Sequence, residues 1–243
     1  MKYCYILFFT LLLAACSQKT FVASNKGISY KVDSTATANL AIATLIDPYT
    51  KQLTSKISEV VGYTPAELQL GKPESALGNA VADAIQTMAQ ERFPKPLDAT
   101  LLNWGGLRVP YLPKGNITIG KIYELLPFDN RVIVMELEGA TLQQLLDATI
   151  AGGGWPMSKS LRVAIKDGKC VNIFIHNQPL DLQKKYTVVL PDYVANGGDK
   201  CSFLIPLNRT DLGILLRNML IQYFRTHKQL IGNIEGRITM LTQ

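Results

Sequence analysis

Helical periodicity alternates with short β-rich runs along most of this chain, and that alternation limits the fold more than any other feature. Leu40, Ile42, Leu45, Ile46, Tyr49, Leu53 and Ile57 recur at helical spacing, which predicts an amphipathic helix over about 37–58, with Pro48 as a point of kinking. Leu77, Val81, Ala84, Ile85 and Met88 predict a second helix, with Ser75 as its N-cap. Residues 97–102 read as a short buried strand, 119–126 as a short helix, 132–137 as a strand and 140–150 as a helix. Two strands, 161–165 and 171–175, flank Lys166-Asp167-Gly168-Lys169, where Asp-Gly signals a tight hairpin. A strand over 186–190, a helix over 212–224 and a closing strand over 236–241 complete the series. The fold class expected is α/β: a mixed sheet covered by helices.

The first residues carry a different pattern. Lys2 precedes a nearly unbroken apolar run, 5–15, that ends in Leu13-Ala14-Ala15-Cys16. The run is short for a bilayer-spanning helix, which needs about 20 apolar residues. It has the layout of a secretory signal, and its ending resembles the bacterial lipoprotein lipobox. That resemblance implies a signal peptide over 1–15, a lipid anchor on Cys16, a polar tether over 16–33 and a folded domain over 34–243. It places the protein in an exported compartment, held to a bacterial cell membrane and facing the periplasm. The alternative is an ordinary cleaved signal with an incidental cysteine.

Composition is that of a globular domain, 47% apolar and 18% charged. The formal charge of +6 becomes +5 once Lys2 leaves with the signal. The basic residues are scattered, so a nucleic-acid polymer is not an expected partner. An anionic small molecule, a membrane surface or a plain solvated face all suit such a charge. Of the four cysteines, Cys170 and Cys201 remain in the domain. They either pair or stay as two buried, inert thiols.

Three loops gather glycine and polar residues where predicted strands end. They are Asn103-Trp104-Gly105-Gly106-Leu107-Arg108, Leu126-Pro127-Phe128-Asp129-Asn130 and Asp192-Tyr193-Val194-Ala195-Asn196-Gly197-Gly198-Asp199. Glycine lets backbone approach a ligand closely, and arginine offers a planar fork to phosphate or carboxylate. Singly, each loop reads equally well as a turn. Together they fit the rule that ligands collect in crevices at strand ends.

In order along the chain, these loops and their neighbours resemble the C-terminal domain of the 5'-nucleotidase/UDP-sugar hydrolase family. The resemblance runs from about Tyr63 to Leu241. Glu74 to Ala84 is similar to an E-x-x-x-G-N-x-x-x-D-A helix start, and Asn103 to Arg108 to an N-x-G-x-x-R loop. Leu126 to Asn130 is similar to a P-F-x-N segment, followed by an E-L-x-G-x-x-L strand and helix over Val134 to Thr141. Tyr193 to Asp199 is similar to F-x-x-N-G-G-D with Tyr for Phe, and Glu235-Gly236-Arg237-Ile238 carries the closing G-R-I. The resemblance implies a domain that binds the base and sugar of a nucleotide or nucleoside. Phe128 and Tyr193 would sandwich the base, Asp199 would accept from ribose hydroxyls, Asn103 would reach base or sugar, Arg108 would pair with phosphate, and Asn130 would support the base end. Asn196 and Gly198 join them through the N-G-G-D segment.

The sequence departs from the family pattern in three places. Arginines often precede the E-x-x-x-G-N segment, whereas here only Lys72 of Gly71-Lys72-Pro73 is available, which weakens the phosphate site. The stretch 155–162 follows F-x-Q-V-S-G-L-R only loosely. Family enzymes hydrolyse with two metals held by a separate N-terminal metallophosphatase domain, and such a site needs a cluster of His, Asp and Asn ligands. His176 and His227, the two histidines present, lie far apart in sequence and outside any such pattern. The tether is too short to hold that domain. No cofactor is therefore expected in this chain, and divalent metals are expected on a partner metallophosphatase chain. Three readings follow: a recognition subunit for that partner, inactive alone; a free-standing nucleoside- or nucleotide-binding lipoprotein; or an enzyme acting alone by other chemistry.

Overall fold

The computed structural model describes residues 37–241 together with residues 24, 26–31, 33 and 35. The signal segment, Cys16 and much of the tether lie outside the described residues. The chain divides between Asp47 and Pro48 into two units. Helix α1 (Leu40–Ile57) begins in the first, where Asn39 caps it by accepting from the backbone N–H of Ala41 at 3.1 Å. Pro48 lies inside α1 without ending it. The expected apolar face is present but not buried: Leu45, Tyr49 and Leu53 are all exposed.

From Pro48 onward, two four-stranded mixed sheets form where one was expected. The first has the order β11 (Arg209–Leu215), β6 (Arg131–Glu138), β10 (Lys185–Pro191), β3 (Ala99–Thr100). Its β11–β6 and β6–β10 pairs are antiparallel, while β10–β3 is parallel. The second has the order β12 (Ile238–Met240), β7 (Leu161–Lys166), β8 (Lys169–Ile175), β9 (Gln178–Pro179). The Asp-Gly hairpin joins β7 to β8 as expected, with Asp167 and Gly168 both at positive φ, the combination a two-residue I′ turn requires. Two small pairs, β1 (Val60–Thr64) with β5 (Gly115–Thr118) and β2 (Leu68–Gln69) with β4 (Tyr111–Leu112), were too short to show a period in the sequence.

Side-chain alternation in the first sheet builds a core on each of its faces. Val132, Val134 and Val189 join helices α2 (Ala76–Gln90), α3 (Ile119–Leu125) and α6 (Leu216–His227) in one cluster. Ile133, Met135, Leu137, Val188 and Leu190 join helix α4 (Gly139–Ala151) and the second sheet in the other. Ser75 caps α2 as expected, its Oγ accepting from the Gly78 N–H at 3.1 Å. Gly139 starts α4 where backbone runs close by: a Cβ there would sit 2.0 Å from the Asp181 carbonyl oxygen.

One expected element is corrected. The helix expected over 212–224 is strand β11 as far as Leu215 and helix α6 only from Leu216. Leu212, Leu215, Leu216, Met219 and Leu220 share helical spacing. Gly213, at φ 72°, interrupts it, and pairing with β6 takes the segment into the sheet instead.

Topology brings the three glycine-containing loops to one edge. Because β10 runs parallel to β3, their C-terminal ends lie side by side, and these ends lead into Asn103 and into helix α5 (Asp192–Ala195). Because β6 runs antiparallel to β10, its start lies at that same edge, opposite the end of β10, with Val132 facing Pro191. The Phe128 loop immediately precedes that start.

Candidate ligand pocket at the sheet edge

Asn103, Gly105, Phe128, Asn130, Tyr193 and Asp199 line one cavity of about 260 Å³. Five of them were expected site residues, drawn from three separate loops. Phe128 and Tyr193 are 47% and 45% exposed, and what sets them apart from other exposed aromatics is that both line the same cavity. Asn103 is the opposite case at 5% exposed. It precedes a single 3-10 turn, Trp104–Gly106, and its backbone oxygen accepts from Gly106 at 2.9 Å. Its side-chain Oδ1 is buried without a hydrogen-bond partner among the described residues. A buried polar atom left unpaired is uncommon and asks for a ligand or solvent.

Tyr193 is set by its neighbours. Its hydroxyl donates to Asp199 Oδ1 at 3.2 Å. Asp199 itself adopts a left-handed conformation, φ 51° and ψ 41°, which turns its carboxylate back toward the ring. A Cβ on Gly198 would meet the Tyr193 ring at 2.4 Å, so only glycine lets the ring lie over this backbone. The carboxylate of Asp192 accepts from the backbone N–H of Arg131 at 3.1 Å and of Tyr193 at 2.8 Å, tying the second loop to the third.

The remaining expected residues lie around the cavity rather than in its lining. Arg108 is exposed, with its guanidinium carbon 5.8 Å from the centre of the Phe128 ring. Asn196 uses its Oδ1 to accept from Arg209 at 2.7 Å. Gly198 underlies Tyr193. A neighbouring cavity of about 270 Å³ shares Gly105 and Asp199 with the first and adds Lys72, Trp104, Trp155 and Lys200. There the Lys72 ammonium donates to the Gly152 carbonyl at 2.5 Å and sits 4.7 Å from the Trp104 ring centre.

Elsewhere, a larger cleft of about 540 Å³ includes Gln86, Gln90, Ser160 and His176 but no Phe, Tyr or Trp ring. His176 lies 3.5 Å from Asp98 there, while His227 stacks on Tyr223 at 4.3 Å, and both histidines are exposed. Cys170 and Cys201 are unpaired, buried thiols. Burial first, then the charge of Asp147, pushes the Cys170 thiol up to about 12; burial, then Asp199, raises Cys201 to about 11. Among the described residues, no group of three or more His, Cys, Asp or Glu is placed to hold a metal ion.

The first and last family-like segments meet each other, away from the pocket. Glu74 accepts from Asn79 at 2.6 Å and from the backbone N–H groups of Glu235 and Arg237, each at 2.8 Å. Arg237, 2% exposed, holds both oxygens of Asp83 at 2.9 and 2.7 Å and reaches the Met157 carbonyl at 2.7 Å. Burial opposes its charge, but hydrogen bonds and charge from Asp83, then Glu235, outweigh it and raise its pKa.

The fold is an α/β domain with a cavity at its strand ends lined by two aromatic residues. The 5'-nucleotidase C-terminal domain profile matches residues 54–205, and the chain belongs to that family. Human 5'-nucleotidase is 27% identical over 194 residues, covering 70% of this chain and 34% of the relative. The NAD 5'-nucleotidase of Haemophilus influenzae is 28% identical over 182 residues, covering 64% and 30%. The solved 5'-nucleotidase precursor of Thermus thermophilus superposes with a TM-score of 0.72 at 27% identity, over 84% of this chain and 44% of that one. The chain thus spans about a third of the length of these curated relatives.

Proposed function

We propose that this domain recognises a nucleotide or nucleoside for a 5'-nucleotidase-type system. One observation carries the reading: residues from three loops, including two half-exposed rings, line a single cavity. The base stacks between Phe128 and Tyr193. Stacking suits a base because its π-face is apolar and polarisable, and each such contact is worth about 1–3 kcal/mol. Asp199 accepts from the ribose hydroxyls, Asn103 and Asn130 contact the base or sugar, and the phosphate is directed toward Arg108 or Lys72. Asn196 and Gly198 shape the Tyr193 loop around the ligand.

Family resemblance brings in divalent metals. The donors of the cavity do not fit a metal pair: among the described residues, Asp199 is the one carboxylate lining it. No metal step is assigned to this chain. Hydrolysis then belongs to a metallophosphatase partner, which receives the phosphate of a nucleotide held by its base.

The test is a calorimetric screen of nucleosides, nucleotides and nucleotide sugars, followed by phosphate-release assays with Mn²⁺, Zn²⁺ or Mg²⁺. The chain alone should bind but release nothing; a candidate metallophosphatase chain should restore release. Metal-dependent release by the purified chain alone, abolished by mutations within it, would overturn the division. Binding without release in any pairing would favour the free-standing binding protein.

The proposal extends to location: an exported lipoprotein anchored to a bacterial membrane through Cys16, facing the periplasm. A Cys16→Ser variant should leave the membrane fraction, and mass spectrometry showing an unmodified Cys16 in the mature protein would refute the anchor.

A further inference from the structure

We infer that Arg209 and Arg217 are positioning residues that set the separation and orientation of the two pocket rings. The inference rests on the reading of that pocket as a ligand site. Each arginine binds one ring-bearing loop, and both belong to the same short stretch of chain, strand β11 and the start of α6.

Arg217 serves the Phe128 loop. It is buried, with one guanidinium nitrogen donating to the carbonyls of Pro127 at 3.2 Å and Phe128 at 2.9 Å, and another to the carboxylate of Asp129. Its guanidinium carbon lies 4.8 Å from the Tyr123 ring centre, which holds it from another side. The Asp129 side chain is 80% exposed, so the two carbonyls are the sheltered acceptors. They belong to Phe128 itself and to the residue before it. An arginine in the first turn of a helix also sits against the helix dipole. Its place there is explained by what it holds rather than by the helix.

Arg209 serves the Tyr193 loop. One guanidinium nitrogen donates to the Ala195 carbonyl at 2.8 Å and to Asn196 Oδ1 at 2.7 Å. The other donates to the carbonyls of Leu204 at 3.3 Å and Ile205 at 2.6 Å. These acceptors bracket the turn that carries Gly198 and Asp199, and the first of them, Ala195, closes the short helix α5 that bears Tyr193.

Between the two arginines the chain is fastened to the sheet. Strand β11 pairs with β6, and Asp211 pairs with Arg131 at 2.5 Å. The Leu216 N–H donates to the Asn130 carbonyl at 2.9 Å. One strand therefore references both loops. A planar guanidinium fan can hold several carbonyls in a fixed arrangement, which a lysine ammonium cannot copy. Loops held in this way give a ligand rings already placed, so little ordering remains to oppose binding.

The test places 4-fluorophenylalanine at position 128 and, separately, 3-fluorotyrosine at position 193, and records fluorine NMR in the full-length protein. The variants are Arg217→Met and Arg209→Met, with Arg217→Lys and Arg209→Lys as better-tolerated forms. Arg217 variants should broaden or split the position-128 resonance and leave position 193 unchanged; Arg209 variants should do the reverse. Each should weaken AMP binding by about tenfold, the scale of re-imposing an ordering cost on one loop. General destabilisation would disturb both rings in both variants, and that outcome overturns the inference. Unaltered spectra with wild-type AMP affinity overturn it as well. If wild-type protein binds no AMP, the ligand reading of the pocket fails, while the ring spectra still decide whether the arginines set the rings.

Discussion

Two regions of this domain carry family-like segments, and they use polar groups in opposite ways. Around Arg237 almost every polar atom is answered: Glu74, Asn79 and Asp83 fasten the end of the chain to the start of α2. At the sheet edge, Asn103 Oδ1 is unanswered, two rings stand half in water, and Asp199 holds a left-handed backbone. The first region is complete as it stands. The second has the unfinished valences and exposed π-faces that a ligand would complete. Matching segments alone do not separate a lock from a candidate site; the unpaired Asn103 Oδ1 and the gathering of both rings on one cavity mark the second region as the candidate.

The contrast can be broken most forcefully at the lock. Arg237→Met should lower folding stability by about 3 kcal/mol, near the low end for breaking a buried pair, because Asp83 and Glu235 keep contact with solvent. Denaturant melts would measure it, and AMP affinity per folded molecule should not change. At the pocket the effects should reverse. Gly198→Ala pushes a Cβ into the Tyr193 ring and should cost about 1–2 kcal/mol of binding, given that small-to-large changes at tight contacts cost about 1–3 kcal/mol. Isothermal titration would show the loss.

A smaller effect separates sugars. Asp199→Asn removes a charged acceptor and should cost ribonucleosides about 1 kcal/mol more than their deoxy counterparts. Equal losses in paired titrations would remove Asp199 from the sugar site. The smallest effect at neutral pH concerns the thiols. Folded Cys170 and Cys201 are raised to about 12 and 11 from 9.0, so folding favours their neutral forms. That contribution is fully present below about pH 9 and is lost as pH rises through 11 to 12. At pH 8 a disulfide reagent should react with both only after denaturation.

Much of this was legible before the structure, where local rules decide. Ser75 before α2, the Asp-Gly hairpin and the apolar run of β6 each follow from a few neighbouring residues. Phe128, Asn130, Tyr193 and Asp199 were legible through family resemblance, and the sheet order explains why they meet. Strand β11 was not legible, because its leucines continue the spacing of α6 and only Gly213 and pairing with β6 end it. The parts played by Arg209 and Arg217 were hidden for a related reason. Most of their acceptors are backbone carbonyls, in the case of Arg217 about 90 positions away, and carbonyls leave no mark in a sequence. The exposed apolar face of α1 marks a further limit, since periodicity states which face is apolar and not what covers it.

The central claim is that the two rings at the sheet edge grip the base of a nucleoside-containing ligand. Calorimetry of AMP or another bound nucleotide against wild type and the Phe128→Ala/Tyr193→Ala double variant tests it most directly, with unfolding midpoints recorded alongside. Loss of about 2–6 kcal/mol of binding, from two stacking contacts, with little change in midpoint is the predicted result. A folded double variant that binds as tightly as wild type would contradict the account.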